Sequence, residues 1–345
     1  MSAIWWQSIR YHRHRRSIPA APVCRGRDRW GEYEMSYDQN AIAHKIQEEM
    51  ERFGYQARTV SITHLPEVQE AVGGLVRQGL LDERLYENWH FYLDSNKNLP
   101  EAKTIVIVAM PHPITRVWFE YEGSAYPADI PPDYLAQKAE SRAEAILNSV
   151  LKTAGYRVAR AHLALKTLAV RSGLAEYGRN NITYVPGMGS FCTLVAFYTD
   201  WLGEEDNWRE TKAMKACRDC RLCLQSCPTG SISDDRFLIH AENCLGFLQE
   251  TKPGFPYWVQ LQPDWQNALM GCMRCQFVCP VDKPYLAKIE EGPSFSEEET
   301  ILIQNKTPWE GLSPELRHKL RIPGGLYPYM VPNLRARIEK QSKQE

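Results

Sequence analysis

Eight of the ten cysteines in this 345-residue chain lie between positions 217 and 280. Cys217, Cys220, Cys223 and Cys227 are spaced C-x2-C-x2-C-x3-C with Pro228 behind them, the iron–sulfur run of bacterial ferredoxins. A cuboidal [4Fe-4S] cluster needs four converging thiolates. Two-residue gaps bring three of them around one cube, and the fourth, before a proline that turns the chain away, reaches the neighbouring cluster. The second run, Cys272-x2-Cys275-x3-Cys279-Pro280, has Leu269 where a regular motif would begin, and Cys244 on the connecting segment completes the eight. The sharing rule assigns Cys217, Cys220, Cys223 and Cys279 to one cluster, and Cys227, Cys244, Cys272 and Cys275 to the other. Paired C-x2-C units also bind zinc, and cysteines pair as disulfides. Zinc does not account for stepped runs that each close on Cys-Pro, and nothing else suggests a secreted disulfide scaffold, so two [4Fe-4S] clusters are expected. No C-x-x-C-H occurs, which excludes covalent haem.

Such ligands must be carried by a scaffold. Residues 1–34 have neither helical nor strand periodicity and read as a basic, disordered leader; Arg15-Arg16 lacks the apolar run of a twin-arginine export signal. Cys24 reads as an incidental thiol. Met35 reads as a start site, because Ser36-x-x-Gln39 is a capping box for the first helix, with Ile42, Ile46, Met50 and Phe53 on one face and Gly54 as its stop. A strand follows over 58–62, a helix over 67–78, and a buried strand over 104–110 (TIVIVAM) before Pro111 and Pro113. Residues 118–134 are aromatic and proline-rich (Trp118, Phe119, Tyr121, Tyr126), and read either as a packed loop or as a wall over a flat cofactor. A helix is expected over 135–154 with Gly155 as its cap, then a strand over 156–161, a helix over 163–172 and a strand over 191–199 carrying Cys192, a buried thiol with no metal. Glycines at 173, 178, 187 and 189 would let backbone approach a ligand, although Gly187-x-Gly189 lacks the third glycine of a dinucleotide site. Beyond Pro280, Ser296-x-x-Glu299 caps a short helix, and further helices are expected over 314–320 and 333–340. Arg317, Lys319, Arg321, Arg335, Arg337, Lys340 and Lys343 make this end basic, as a solvated face or an RNA-contacting patch.

The length suggests about two domains. The expected division is a leader (1–34), an α/β cofactor-binding domain (35–205), a double-cluster domain (206–290) and a basic helical tail (291–345). Net charge is −1, and the first 34 residues hold seven Arg against Asp28, Glu32 and Glu34, which leaves the remainder at −5. An acidic body does not bind nucleic acid through its overall field, so RNA contact would need a local patch. No apolar run of membrane-spanning length occurs, and reduced thiols with air-sensitive clusters fit the cytoplasm. Two clusters form a wire that needs a terminus. The economical reading is a reductase that passes external electrons to a cofactor held by residues 100–200; an electron-transfer protein without its own cofactor is the non-enzymatic alternative.

The cysteine pattern with its isolated Cys244 and closing CQFVCPVDK, the strand and proline at 104–111, and the stretch 170–180 (VRSGLAEYGRN) resemble the epoxyqueuosine reductases, corrinoid-dependent enzymes of the queuosine tRNA pathway. Their relatives the reductive dehalogenases share the last stretch and give the alternative enzymatic reading. The likeness spans about residues 36–340 and is strongest over 164–281. It implies an α+β chain, a nitroreductase-like corrinoid-binding domain followed by a ferredoxin-like double-cluster module, and base-off cobalamin near Gly173, Glu176, Tyr177, Gly178, Arg179 and Asn180. No Asp-x-His-x-x-Gly marks a lower axial histidine. In the family an acidic residue of a GRDYH-like segment is thought to protonate the departing epoxide oxygen. The matching place is Pro131-Pro132-Asp133-Tyr134-Leu135, which gives Asp133 as proton donor and Tyr134 as the second choice. Asp133 fits equally well as an N-cap of the following helix. The resemblance also implies a ferredoxin- or flavodoxin-type electron donor and a tRNA substrate.

Overall fold

The computed structural model describes residues 39–81, 96–132, 137–203, 206–251, 263–320 and 327–342. The first half carries α1 (Gln39–Glu51), β1 (Gln56–Ser61), α2 (Leu65–Arg77), β2 (Thr104–Pro111), β3 (Ile114–Tyr121), β4 (Ser124–Ile130), α3 (Gln137–Leu151), β5 (Val158–Ala161) and α4 (Leu165–Arg171). Then come β6 (Glu176–Tyr177), β7 (Thr183–Tyr184), β8 (Cys192–Thr199), α5 (Leu222–Ser226), α6 (Leu245–Thr251), α7 (Arg274–Phe277), β9 (Ile289–Phe295), α8 (Glu297–Gln304), α9 (Pro314–Leu320) and α10 (Tyr327–Ser342). The protein is mixed α+β.

TIVIVAM is apolar without alternation because its strand is covered on both faces. β2 lies inside an antiparallel sheet ordered β1-β2-β8-β5. Side chains alternate across the pleat: Val106, Val108 and Met110 join Val195 and Phe197 under α1 and α3, while Ile105, Ile107 and Ala109 join Leu194, Ala196 and Tyr198 under α2 and α4. Cys192 is buried in this second layer.

The aromatic stretch after Pro113 is not a loop as far as Ile130; it is the β3–β4 hairpin. Glu122 (φ 49°) and Gly123 (φ 77°) take the positive angles of a tight two-residue turn. Pro127 sits on β4, the edge strand, where its missing N–H costs no ladder bond. β9 pairs with β3 in parallel, and Phe119 stacks on Phe295 with ring centroids 4.7 Å apart. Helices α8 to α10 complete this second core through Ile303, Leu316, Leu320, Val331, Leu334 and Ile338. Ser296 and Glu299 form the expected capping box on α8. Ser36, Met35 and Cys24 lie outside the described residues.

Candidate metal centre

The cysteine loops are anchored between the two cores. β6 pairs with β7 on one side, and on the other Tyr177 donates to the carbonyl of Lys212 (2.9 Å) and accepts from Met214 N–H (2.9 Å), so the strand lies along the chain leading into Cys217. Cys217, Cys220, Cys223 and Cys279 are one set of electrostatic neighbours; Cys227, Cys244, Cys272 and Cys275 are the other, and Cys275 also feels Cys223. A cavity beside α6 is bounded by Cys227, Cys244, Cys272 and Cys275 and by no other cysteine, with Ile182, Ile232, Ile239 and Leu245 as apolar wall.

Burial is the main influence on five of these thiols. It raises Cys217 and Cys244, lifts Cys223 and Cys272 to about 11, and raises Cys275 well beyond the ordinary thiol range, with neighbouring thiolates adding to the rise. Iron must therefore displace protons to bind here. Among the described residues no three His, Cys, Asp or Glu side chains converge on a single-ion position. A cubane does not require that, since each thiolate binds a different iron at a different corner. The donor set, all sulfur and divided four and four, fits two cubanes.

Leu269, which stands where a first thiolate would be, is 1% exposed and packs in the second core with Phe295 and Val331. Its N–H donates to the carbonyl of Asp129 (2.7 Å), and its own carbonyl accepts from Asn333 Nδ2 (2.9 Å). The position is a hydrophobic anchor, and the fourth sulfur of that group, Cys244, comes from a different segment.

A buried network that sequence reasoning missed joins the glycine segment to the second run. Asp282 accepts from Ser190 N–H (2.7 Å) and Ser190 Oγ (2.6 Å), and Gln276 Nε2 donates to Ser190 Oγ (2.9 Å). Burial raises the Asp282 carboxyl above the usual carboxylate range, and the Ser190 hydrogen bonds oppose that rise. Tyr184, buried beside Asp282, is held protonated mainly by its own burial. The Asp two residues beyond Cys279-Pro280 was the available signal.

The residues proposed for corrinoid contact are placed as follows. Gly173 (φ 72°) ends α4 with Arg209 against it. Glu176 pairs with Lys212 (2.9 Å). Tyr177 is buried, which pushes its phenol up to about 12, and its hydroxyl lies 3.3 Å from Thr167 Oγ1. Gly178 lies under Tyr184, whose ring a Cβ would meet at 2.5 Å. Asn180 donates to Tyr184 OH (2.9 Å) and accepts from Ile182 N–H (3.2 Å). Arg179 turns onto the first cysteine loop. The side chains of 173–180 thus meet the protein itself, and the close approach their glycines permit is to Arg209 and Tyr184. At Gly189 (φ 60°) the neighbours are likewise Asp282 and Tyr285. Asp133 and Tyr134 lie outside the described residues.

Of the basic residues near the C-terminus, Lys319 pairs with Glu299, Arg335 with the carbonyl of Gln304, Arg337 with that of Pro127 (2.9 Å) and Lys340 with Asp264 (3.0 Å). Arg321 and Lys343 lie outside the described residues. Among the described residues no helix is long and apolar enough to cross a membrane.

Residues 216–282 match the family model of a 4Fe-4S double cluster binding domain. The likeness to named proteins extends further. It is to the epoxyqueuosine reductases. That of Bacillus subtilis (strain 168) is 29% identical over 202 residues, 54% of this chain and 49% of the relative. That of Staphylococcus aureus (strain NCTC 8325 / PS 47) is 31% identical over 121 residues, 35% of this chain and 30% of the relative. The aligned part of the chain thus spans half or less of these relatives' length. The solved epoxyqueuosine reductase of Streptococcus thermophilus superposes with a TM-score of 0.63 at 17% identity, covering 87% of this chain and 81% of that one. A Bacillus subtilis epoxyqueuosine reductase structure gives 0.61 at 20% identity with the same coverage. The fold is that of the solved epoxyqueuosine reductases.

Proposed function

We propose that this chain is an iron–sulfur reductase that removes the epoxide oxygen of epoxyqueuosine in tRNA. The observation that carries the reading is the reach of the likeness. It covers 87% of the chain, far beyond the 216–282 cluster segment, which favours a reductase over a free-standing electron carrier. A solved epoxyqueuosine reductase in complex with an epoxyqueuosine-modified tRNA stem loop superposes with a TM-score of 0.60 at 18% identity, which supports tRNA as the partner. Cys217, Cys220, Cys223 and Cys279 would hold one [4Fe-4S] cluster, and Cys227, Cys244, Cys272 and Cys275 the other. Loss of an epoxide oxygen as water consumes two electrons and two protons, so a one-electron donor of ferredoxin or flavodoxin type fits two one-electron clusters. Asp133 is the proposed proton donor, with Tyr134 as second choice; the Bacillus subtilis structure has a catalytic loop named for an aspartate. The preceding sheet domain is proposed to be nitroreductase-like and the protein cytoplasmic, with the domain limits given by the sequence.

Base-off cobalamin is the proposed acceptor of the clusters' electrons and would supply a strongly reducing centre. Within 173–180 the Glu176, Tyr177, Arg179 and Asn180 side chains already have partners in the protein, and Asn180 also lines the cavity beside the second cysteine group, so a corrinoid would be met there through backbone and Asn180 or by other residues. The alternative reading is an electron-transfer protein without its own cofactor. The test is anaerobic reconstitution with iron, with and without cobalamin, followed by mass spectrometry of epoxyqueuosine-containing tRNA. Cobalamin-dependent conversion is the expected result. About eight irons per chain without conversion would select the carrier reading, and fewer irons would defeat both.

A further inference from the structure

Arg179 directs Nε, Nη2 and its backbone N–H at the first cysteine loop. Nε donates to the carbonyl of Cys220 (2.9 Å), and Nη2 to those of Cys217 (2.7 Å) and Arg218 (3.1 Å). Nη1 donates to Asp234 Oδ1 (2.9 Å), and the backbone N–H points at Cys217 Sγ (3.4 Å). We propose that Arg179 is a positioning residue that shapes the first cysteine loop and raises the reduction potential of the cluster held by Cys217, Cys220, Cys223 and Cys279. The inference rests on the cluster assignment proposed above and gives the arginine of the glycine-rich motif a role toward iron–sulfur rather than corrinoid.

Reduction adds one negative charge to a cluster. An N–H on a ligand sulfur and a guanidinium behind two ligand carbonyls stabilise the more negative state, and hydrogen bonds to the sulfurs are a main determinant of cluster potential. The charge is half-buried, so solvent screens it incompletely. Asp234 neutralises part of it while also pairing with Arg221. The arrangement is built into the backbone. Only glycine at 178 passes beneath the Tyr184 ring, and that passage puts the next N–H on Cys217. The second group has its own donors, Asn267 Nδ2 on Cys272 Sγ at 3.3 Å and backbone N–H groups on Cys272 and Cys244, but Arg179 does not reach them. Arg179 therefore acts on the first cluster's potential and not on the second's.

The test is a redox titration of the reconstituted full chain followed by electron paramagnetic resonance, after iron has been counted. A Cys244→Ala background, which alters the second cluster's signal, identifies which midpoint belongs to which cluster. Arg179→Gln should lower the first cluster's midpoint by about a tenfold change in the reduced-to-oxidised ratio, about 59 mV for one electron, and leave the other in place. Arg179→Lys should lower it less. Asp234→Asn keeps the arginine and removes a negative charge, so the same midpoint should rise. Unmoved midpoints in iron-replete variants, or a shift confined to the second cluster, would overturn the proposal. Where the Arg179 variants lose iron, Asp234→Asn decides alone: a rise supports the role and no change refutes it. Wild-type protein short of about eight irons defeats the cluster assignment itself and is recognised before any titration.

Discussion

The four-stranded sheet and the cysteine region are held together by different balances of apolar burial and polar attachment. Every residue of β8 and all of β2 up to Met110 is buried, with helices on both faces. Between residues 216 and 282 the described α-helices have five, seven and four residues. These are far below the ~12 residues at which an isolated helix becomes even marginal. The sheet is stabilised by apolar area and by a continuous hydrogen-bond ladder. The cysteine loops have only a small apolar cluster, Ile232, Ile239 and Ala241 against Val72 and Leu81, and add point attachments, namely Arg179 on three carbonyls, Asp282 on Ser190 and Asn333 on Leu269, together with whatever their sulfurs bind.

Iron removal should break the two regions apart most sharply. Anaerobic chelation is expected to speed amide hydrogen exchange across 216–282 by orders of magnitude, with β2 and β8 still protected. Equal loss of protection in both would erase the distinction. Next in size is Phe197→Ala. Its side chain is 0% exposed, and the change should cost ~3–5 kcal/mol in urea unfolding. Truncating the half-buried Leu224 on α5 should cost clearly less by the same measurement. Asp282→Ala leaves the buried Ser190 N–H and hydroxyl without their acceptor, and should lower stability by ~1–3 kcal/mol while slowing iron incorporation. Unchanged iron uptake would show that the network serves the glycine segment alone.

The smallest effect lies where the two regions join. His64 has Nδ1 2.7 Å from Glu67 and Nε2 2.8 Å from Asp206, and Trp208 stacks on its ring at 4.3 Å. Burial pulls its pKa down, but the hydrogen bonds to the two carboxylates outweigh burial and leave it above the usual imidazole value. Both ring nitrogens can donate only in the protonated form. The contribution is therefore full below pH ~6.5 and is lost as pH rises through the elevated folded value. His64→Gln should remove that slope, worth less than ~1 kcal/mol, from stability measured between pH 5 and 9.

The sheet was legible because its strands and helices carry complete local signals. The 104–110 run formed as β2, and the helices expected over 163–172 and 314–320 formed as Leu165–Arg171 and Pro314–Leu320. The second sheet was not legible. β9 reads IEEGPSF, with a glycine and a proline inside seven residues, and it exists only because β3 offers a parallel edge. The hairpin was hidden by Pro127, acceptable only on an edge strand. Within the site, spacing identified the eight cysteines, whereas the use of Arg179 depends on a loop 38 to 41 residues away. No pattern within 173–180 distinguishes an arginine that meets a ligand from one that meets its own chain.

Leu269 has a practical consequence for anyone cutting this protein. Its backbone is tied to Asp129 on the β3–β4 hairpin and to Asn333 on α10, and it lies three residues before Cys272. A fragment trimmed to 216–282 would keep all eight sulfurs and lose both tethers. The excised piece should load iron heterogeneously, because the parts that align its second set of sulfurs are left behind on the parent chain.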